Sequence, residues 1–385
     1  RVDEEFALEG EERAKLAKNL IMSTAKPLGD KGLYNSYYGL TDYNYTSPRR
    51  QGAGTMDLLS ASITPAIVVD PSTGVSKVEL GKISYLSSFV VRIQNFSDKD
   101  ISYNLKGTVQ TDLADADYNY LESQGVYIAD TVEENGPNGY WTGEFPITFS
   151  QDIVNVPANG HNDVLVTIDL SNAVDWFYNV PLEYIFPNGT FIEGFITFDD
   201  VADENPSLSI PYMGFFGEWD KAPILDDSIY DLDGNPFYGV TALAWLNEID
   251  ETYYFLGFDA LGNIDENYIS FSPNGDGVYD TVVPILSFLR NAKDFEINIL
   301  DEDMNVVREL AKQTNLRKNY FDSQYPYYTS YNDWKWDGTV NNKIAIDGQY
   351  YYQIKARVDY PNADWQVYTF PVKLDNQRPD IQDVV

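Results

Sequence analysis

From Ile63 onward the chain is written in short β-branched and aromatic runs broken by turn formers, and that rhythm fixes its fold class. "AIVVD", "SFVVRIQNF", "ISYNLKGTVQTD", "FPITFS", "DVLVTIDLS" and "FIEGFITFDD" are separated by "PSTG", "SDKD", "PANGHN" and "PNGT". Several runs alternate apolar with polar residues, the two-residue period of a strand with one buried face. They predict a first β-sandwich over residues 63–225, ending near "LSIPYMGFFGEWD". Residues 226–270 are turn-rich with some strand content and read as a connector. A second sandwich is expected over 271–385, where "DFEINILDEDMNVVREL", "DGQYYYQIKARVDY" and "WQVYTFPVKLD" hold the strands and "DEDMN" turns a hairpin.

The first 62 residues follow a different period. "EERAKLAKNLIMSTA" places Leu16, Ala17, Leu20, Ile21 and Thr24 on one side of a helix that Pro27 and Gly29 end. "TMDLLSA" is a second short helical piece. Two such helices cannot close a core between them, so their apolar faces require a larger body. At 385 residues the chain has room for two or three domains.

The formal charge of -34, from 60 acidic against 26 basic residues, repels phosphate backbones and anionic lipid, which argues against nucleic acid and membrane surfaces as partners. The absence of cysteine removes disulfides, thiol catalysis and Cys-based zinc sites together. No apolar run is long enough to span a bilayer, and "RVDEEFALEGEERAKLAKN" lacks the layout of a signal peptide. An exported protein carries such a signal at its start, so the chain is expected to be an internal piece of a longer precursor.

Serine catalysis needs a base within reach of the hydroxyl, and the single histidine, His161, sits in a turn-like loop, "PANGHNDV". No G-x-S-x-G elbow and no subtilisin-type serine motif is present. A catalytic triad within the chain is excluded on those grounds. In "FSPNGDGVYDTVVP", Asn274, Asp276 and Asp280 fall at relative positions 1, 3 and 7, with the Val278 carbonyl at position 5. That spacing resembles the first part of a calcium loop without its closing glutamate, and an Asx-rich structural turn fits it equally. Asp112, Asp115 and Asp117 form an acidic cluster read as a solvated loop. Trp334 and Trp336, two apart, read as packing residues if they lie on a strand. The N-x-[ST] triplets at Asn44, Asn95 and Asn188 carry no weight in this setting.

"AKNLIMSTAKP" followed by "SPRRQGAGTMDLLSA" resembles the last core helix and closing Arg-Gln-Gly-Ala-Gly loop of cell-envelope subtilisin-like serine proteinases, the lactocepins and the streptococcal peptidase that inactivates a complement anaphylatoxin. "VPANGHNDVLVTIDLS", "SIPYMGFFGEWDKAPILDDSIYD", "SPNGDGVYD", "FLRNAKDFEINILDEDMNVV" and "WDGTVNNKIAIDGQYYYQIKARVDY" are similar, in the same order, to that family's first two fibronectin-like domains. The resemblance implies a mainly β chain: two consecutive fibronectin type III-like sandwiches preceded by a helical remnant, residues 1–62, of an α/β subtilisin-like domain. The family's catalytic Asp, His and Ser precede the matching segment, so none carries over to a position here. By analogy the accessory domains would hold a large protein substrate, such as a host protein, for the catalytic domain of the same precursor. The aromatic run from Tyr320 to Asp337 is the expected exosite, with Tyr320, Tyr325, Tyr327, Tyr328 and Trp334 as candidate contacts. The resemblance further implies an extracellular, cell-wall-associated protein of a Gram-positive bacterium. A stand-alone adhesin or a module binding carbohydrate or host protein is the alternative.

Overall fold

The structure, a computed structural model, describes residues 2, 6, 8–29, 45–114, 120–135, 140–175, 179–319 and 327–376. It is mainly β and divides into two compact units, Arg1–Trp219 and Asp220–Val385.

In the first unit a four-stranded sheet runs in the order Ala66–Val69, Leu86–Asn95, His161–Asp169, Ile147–Phe149. An eight-stranded sheet has Thr190–Asp200 near its centre, flanked by Leu208–Phe216 and by Ile101–Gly107. The register sets the two-residue period to work. Val164 lies opposite Val91 and Val166 opposite Phe89, so Val164, Val166 and Ile168 all point inward while their neighbours face out. Inward residues of both sheets, among them Ile93, Val166, Tyr103, Ile196 and Tyr212, make one buried core.

The helix Gly10–Ser23 lies against the edge strand of the smaller sheet. Leu16 and Leu20 pack on Ile67 and Val69, so the first sandwich itself covers part of the face that the sequence left without a partner. Polar bonds set the docking. The Asn19 Nδ2 donates to the Gly74 carbonyl at 2.9 Å, and its Oδ1 accepts from the Ser76 amide at 3.1 Å. The Ser23 hydroxyl oxygen accepts from the Val68 amide at 3.0 Å.

In the second unit a five-stranded sheet has the order Ser270–Phe271, Gln366–Leu374, Gly348–Arg357, Ala292–Leu300, Val306–Leu316. The "DEDMN" turn joins the last two, with the Asp301 Oδ1 accepting from the amides of Asp303 and Asn305. Residues read as a connector supply Ala242–Asn247 and Thr252–Phe255, which form a three-stranded sheet with Val283–Ile285. The core of this unit is aromatic: Phe295 packs on Trp334 at 4.9 Å and on Phe288 at 5.6 Å, and Phe271 on Trp336 at 5.1 Å.

Candidate functional site

The closing-loop motif docks on the outer face of the larger sheet of the first sandwich. Ser47 caps the short helix Pro48–Gln51 by accepting from the Arg49 amide, and Pro48 is preset for the first turn. Gln51 ties the loop to residue 28, its Oε1 accepting from the Leu28 amide at 2.8 Å. At Gly54, with φ of +116°, the backbone passes against the Lys26 carbonyl where a side chain has no room, and Lys26 and Thr55 exchange two backbone bonds there.

Arg49 is the anchor. Its Nε donates to the Glu193 Oε2 at 2.9 Å, one Nη donates to Oε1 of the same carboxylate at 3.1 Å, and that Nη reaches the Asp112 Oδ1 at 2.7 Å. The guanidinium also lies over the Phe191 ring, 4.5 Å from its centre. Glu193 is fully buried. Burial works against the guanidinium's charge, but the hydrogen bonds and attraction from Glu193 and Asp112 outweigh it and hold the Arg49 pKa above its ordinary value. Asp112, expected in a solvated loop, is therefore part of an ion-pair cluster; Asp115 and Asp117 lie outside the described residues. Tyr45 adds an edge-on ring contact with Phe195 at 5.2 Å, and its carbonyl accepts from the Gln110 Nε2 at 2.7 Å.

Asp57 holds the next turn. It caps Leu58–Ile63 through the Ser60 amide at 3.0 Å and pairs with the Lys26 Nζ at 2.8 Å. The hydrogen bond from Lys26, then those from Ser60, lower its pKa from 3.8 to about 2. Because the folded value is depressed, the contribution to stability is fully present above pH 3.8 and is lost as the pH falls through about 2. An NMR titration should give Asp57 a midpoint near 2, and Lys26→Ala should move it back toward 3.8. A midpoint that stays put in Lys26→Ala would remove the ion pair as the cause.

Among the described residues, the candidate exosite contacts do not form one exposed surface. Tyr320 and Tyr325 lie outside the described residues. Tyr327 and Tyr328 are half-buried: the Tyr327 ring stacks on Tyr238 at 5.7 Å, and Tyr328 meets Tyr253 edge-on at 5.9 Å. Trp334 must be withdrawn as a contact, because it has no exposed surface at all and its Nε1 donates to the Gln313 Oε1 at 3.1 Å. Trp336 is equally buried. The aromatic partners Phe237 and Tyr238 were missed. They sit on a loop held by buried Asp226, whose two carboxylate oxygens accept from the Phe237 and Tyr238 amides at 2.7 Å each. "DLDGNPFYG" gives no local sign that Tyr238 meets Tyr327, nearly a hundred positions on.

The Asn274–Asp280 loop closes on itself. The Asp280 carboxylate accepts from the Gly275 and Gly277 amides at 2.7 Å each, the Asn274 Oδ1 from the Asp276 amide, and the Asp276 Oδ1 from the Val278 amide at 2.9 Å each. Calcium takes about six to eight oxygens. Here two carboxylates, an amide and the Val278 carbonyl are at hand, and among the described residues no three acidic or imidazole side chains converge as a metal cluster. The loop's hydrogen bonds are those of Asx turns, and its carboxylates already serve the loop's own amides.

Two further candidates are structural or exposed. His161 is solvent-exposed at the start of its strand. The buried Asn95 amide donates to the carbonyls of Lys99, Val156 and Pro157, which secures a strand end. Among the described residues no helix is long and apolar enough to cross a membrane.

A β-sandwich carrying a docked helical segment is the class of structure these features define. Residues 78–213 match the family of Fn3-like domains. The chain is 29% identical to the PI-type proteinase of Lactococcus lactis subsp. cremoris, over 98% of its own length and 19% of that protein's. It is 29% identical to the C5a peptidase of Streptococcus pyogenes serotype M6, over 96% of its own length and 33% of that protein's. The similarity to proteinases thus runs along nearly the whole chain, while the chain spans only a fifth to a third of those relatives.

Proposed function

We propose that the chain is the non-catalytic C-terminal region of an extracellular, cell-wall-associated subtilisin-like serine endopeptidase of a Gram-positive bacterium. Peptide-bond hydrolysis belongs to the catalytic domain of the parent, and the two β units position a large protein substrate for it; the C5a peptidase relative suggests a host protein. The observation that carries this reading is the apolar face left on the docked helical segment. Leu28, Met56, Leu58, Leu59 and Ile63 are 51%, 57%, 65%, 70% and 58% exposed on or beside the turns that Arg49 and Asp57 fix in place. Such a cluster on an ordered surface suits a protein partner, and the ordered similarity to proteinases makes that partner the parent's catalytic domain.

The test compares the full-length parent with a version lacking residues 220–385, the second compact unit. kcat/KM on a large protein substrate should fall about ten-fold or more while that on a short peptide is unchanged, because only the large substrate draws on remote binding energy. Equal rates on both substrates would reduce the unit to a spacer. Calcium, if it enters the second unit, would do so at Asn274, Asp276, Val278 and Asp280, and weakly, since Asp280 already serves the loop's own amides. Calorimetric titration of calcium into the chain and into Asp276→Asn tests this: a heat abolished by the substitution supports the site, and no heat in either protein rejects it.

A further inference from the structure

The "SPNGDGVYD" motif has a role beyond closing its own turn: it presents Tyr279 at the wall of a cavity in the second unit. The cavity is an open depression of about 520 Å³, within the range of small-molecule sites. Phe255, Phe258, Tyr268 and Tyr279 line it with Lys373 and Asp375. The four aromatic side chains come from an edge strand, a loop, the 3-10 helix Glu266–Tyr268 and the motif, yet all keep exposed surface, at 38%, 40%, 56% and 42%.

Tyr279 is held there at a cost. Its φ of +53° is left-handed backbone that a bulky residue rarely adopts. Asp280 fixes the preceding glycine turns, the Tyr279 carbonyl accepts from the Ser272 amide at 2.9 Å, and its ring leans on Trp245 at 4.8 Å. Gly257, also in the lining, has φ of +79°, and a β-carbon there would come within 2.7 Å of the Tyr230 ring behind it. Four part-exposed aromatic rings beside an exposed lysine–aspartate pair are a combination that neither packing nor turn formation requires.

The charges select the ligand. Lys373 and Asp375 stand 4.0 Å apart with side chains 61% and 52% exposed, so the rim offers N–H donors and carboxylate acceptors without net charge. The overall charge of -34 disfavours an anion. A wholly apolar ligand would strip water from both rim charges without replacing their hydrogen bonds. A pyranose ring meets every requirement: its C–H faces suit the negative faces of aromatic rings, and its hydroxyls both donate and accept. We propose that this cavity is a binding site for a neutral pyranose unit of a glycan chain, an activity separate from any contribution to proteolysis.

The experiment titrates the 385-residue chain with cellotriose, chitotriose and maltotriose, and separately with trilysine, by calorimetry and saturation-transfer NMR. At least one trisaccharide should bind saturably. Tyr279→Ala and Tyr268→Ala should each weaken it about ten-fold, the loss of one stacking partner. Tyr184→Ala, an exposed tyrosine outside the cavity lining, should leave affinity unchanged. Tyr268 lies on an exposed turn, so its variant keeps the test valid if Tyr279→Ala disturbs the fold. No trisaccharide signal up to about 10 mM, well beyond the affinity of a useful lectin-like site, would overturn the proposal. So would binding indifferent to both variants, or binding of trilysine alone with loss at high salt, which would mark a site for cationic peptide.

Discussion

Arg49→Ala will destabilise the first unit by about 3–5 kcal/mol, the usual cost of leaving one member of a buried ion pair without the other. Glu193 has no exposed surface, and among the described residues the two N–H donors of Arg49 are the hydrogen-bond partners of its carboxylate oxygens. For a unit of this size the loss corresponds to a fall in melting temperature of roughly 10 °C, read by calorimetry on the whole chain. Arg49→Met combined with Glu193→Leu should recover most of it, because Phe191, Phe195 and Tyr45 already give the site apolar walls and a buried pair is often replaceable by packing. A double variant as unstable as the sum of the two single variants would mean no coupling between Arg49 and Glu193, and would overturn the buried ion pair as what holds the segment.

The same substitution probes function. Arg49, Gln51 and Gly54 connect the helical segment to the sandwich and to residues 26 and 28, which neighbour the apolar face proposed for the catalytic domain. In a full-length parent, the double Met/Leu variant should therefore retain activity toward a short peptide, whereas Arg49→Ala should lower the yield of folded enzyme.

Strands were legible in the sequence because their cause is local. "DVLVTIDLS" alternates, and Val164, Val166 and Ile168 face the core as that alternation requires. The helical segment was legible for the same reason, with Leu16 and Leu20 buried on one side. The Arg49 cluster was not, since its partners lie 63 and 144 residues away and a pairing across strands leaves no periodic trace. Asp112 looked solvated because an acidic run in a loop and an acidic residue on a strand facing an arginine are the same letters. In the Asn274–Asp280 loop the spacing of oxygens was readable, but their direction was not: the Asp280 carboxylate turns inward onto two amides.

The aromatic run before Asp337 shows where composition misleads. A stretch dense in Tyr, Trp and Asp resembles a binding surface, but the second unit builds its core from aromatic side chains. Trp334, Trp336, Phe288, Phe295 and Tyr352 are all fully buried there. Trp334 also reaches its site from the short 3-10 helix Asn332–Trp334 and not from a strand, so two-residue spacing did not decide its direction.

Trp334→Ala will accordingly behave as a core deletion and not as the loss of a contact residue. The indole packs on Phe295 at 4.9 Å and edge-on to Tyr331 at 4.8 Å, and its backbone carbonyl accepts the Tyr352 hydroxyl, which is itself buried. Removing it leaves a cavity that three aromatic neighbours are too rigid to fill, at about 3–5 kcal/mol. Trp334→Phe keeps most of the packing and loses the Nε1 bond to Gln313, a half-buried side chain that can turn toward water, so its cost should be nearer 1 kcal/mol. Urea unfolding of the chain and both variants reads the order directly. If Trp334 served a substrate, the alanine variant would unfold like the parent and lose only affinity; a midpoint unchanged by Trp334→Ala would therefore return the residue to the surface and undo the aromatic core described for this unit.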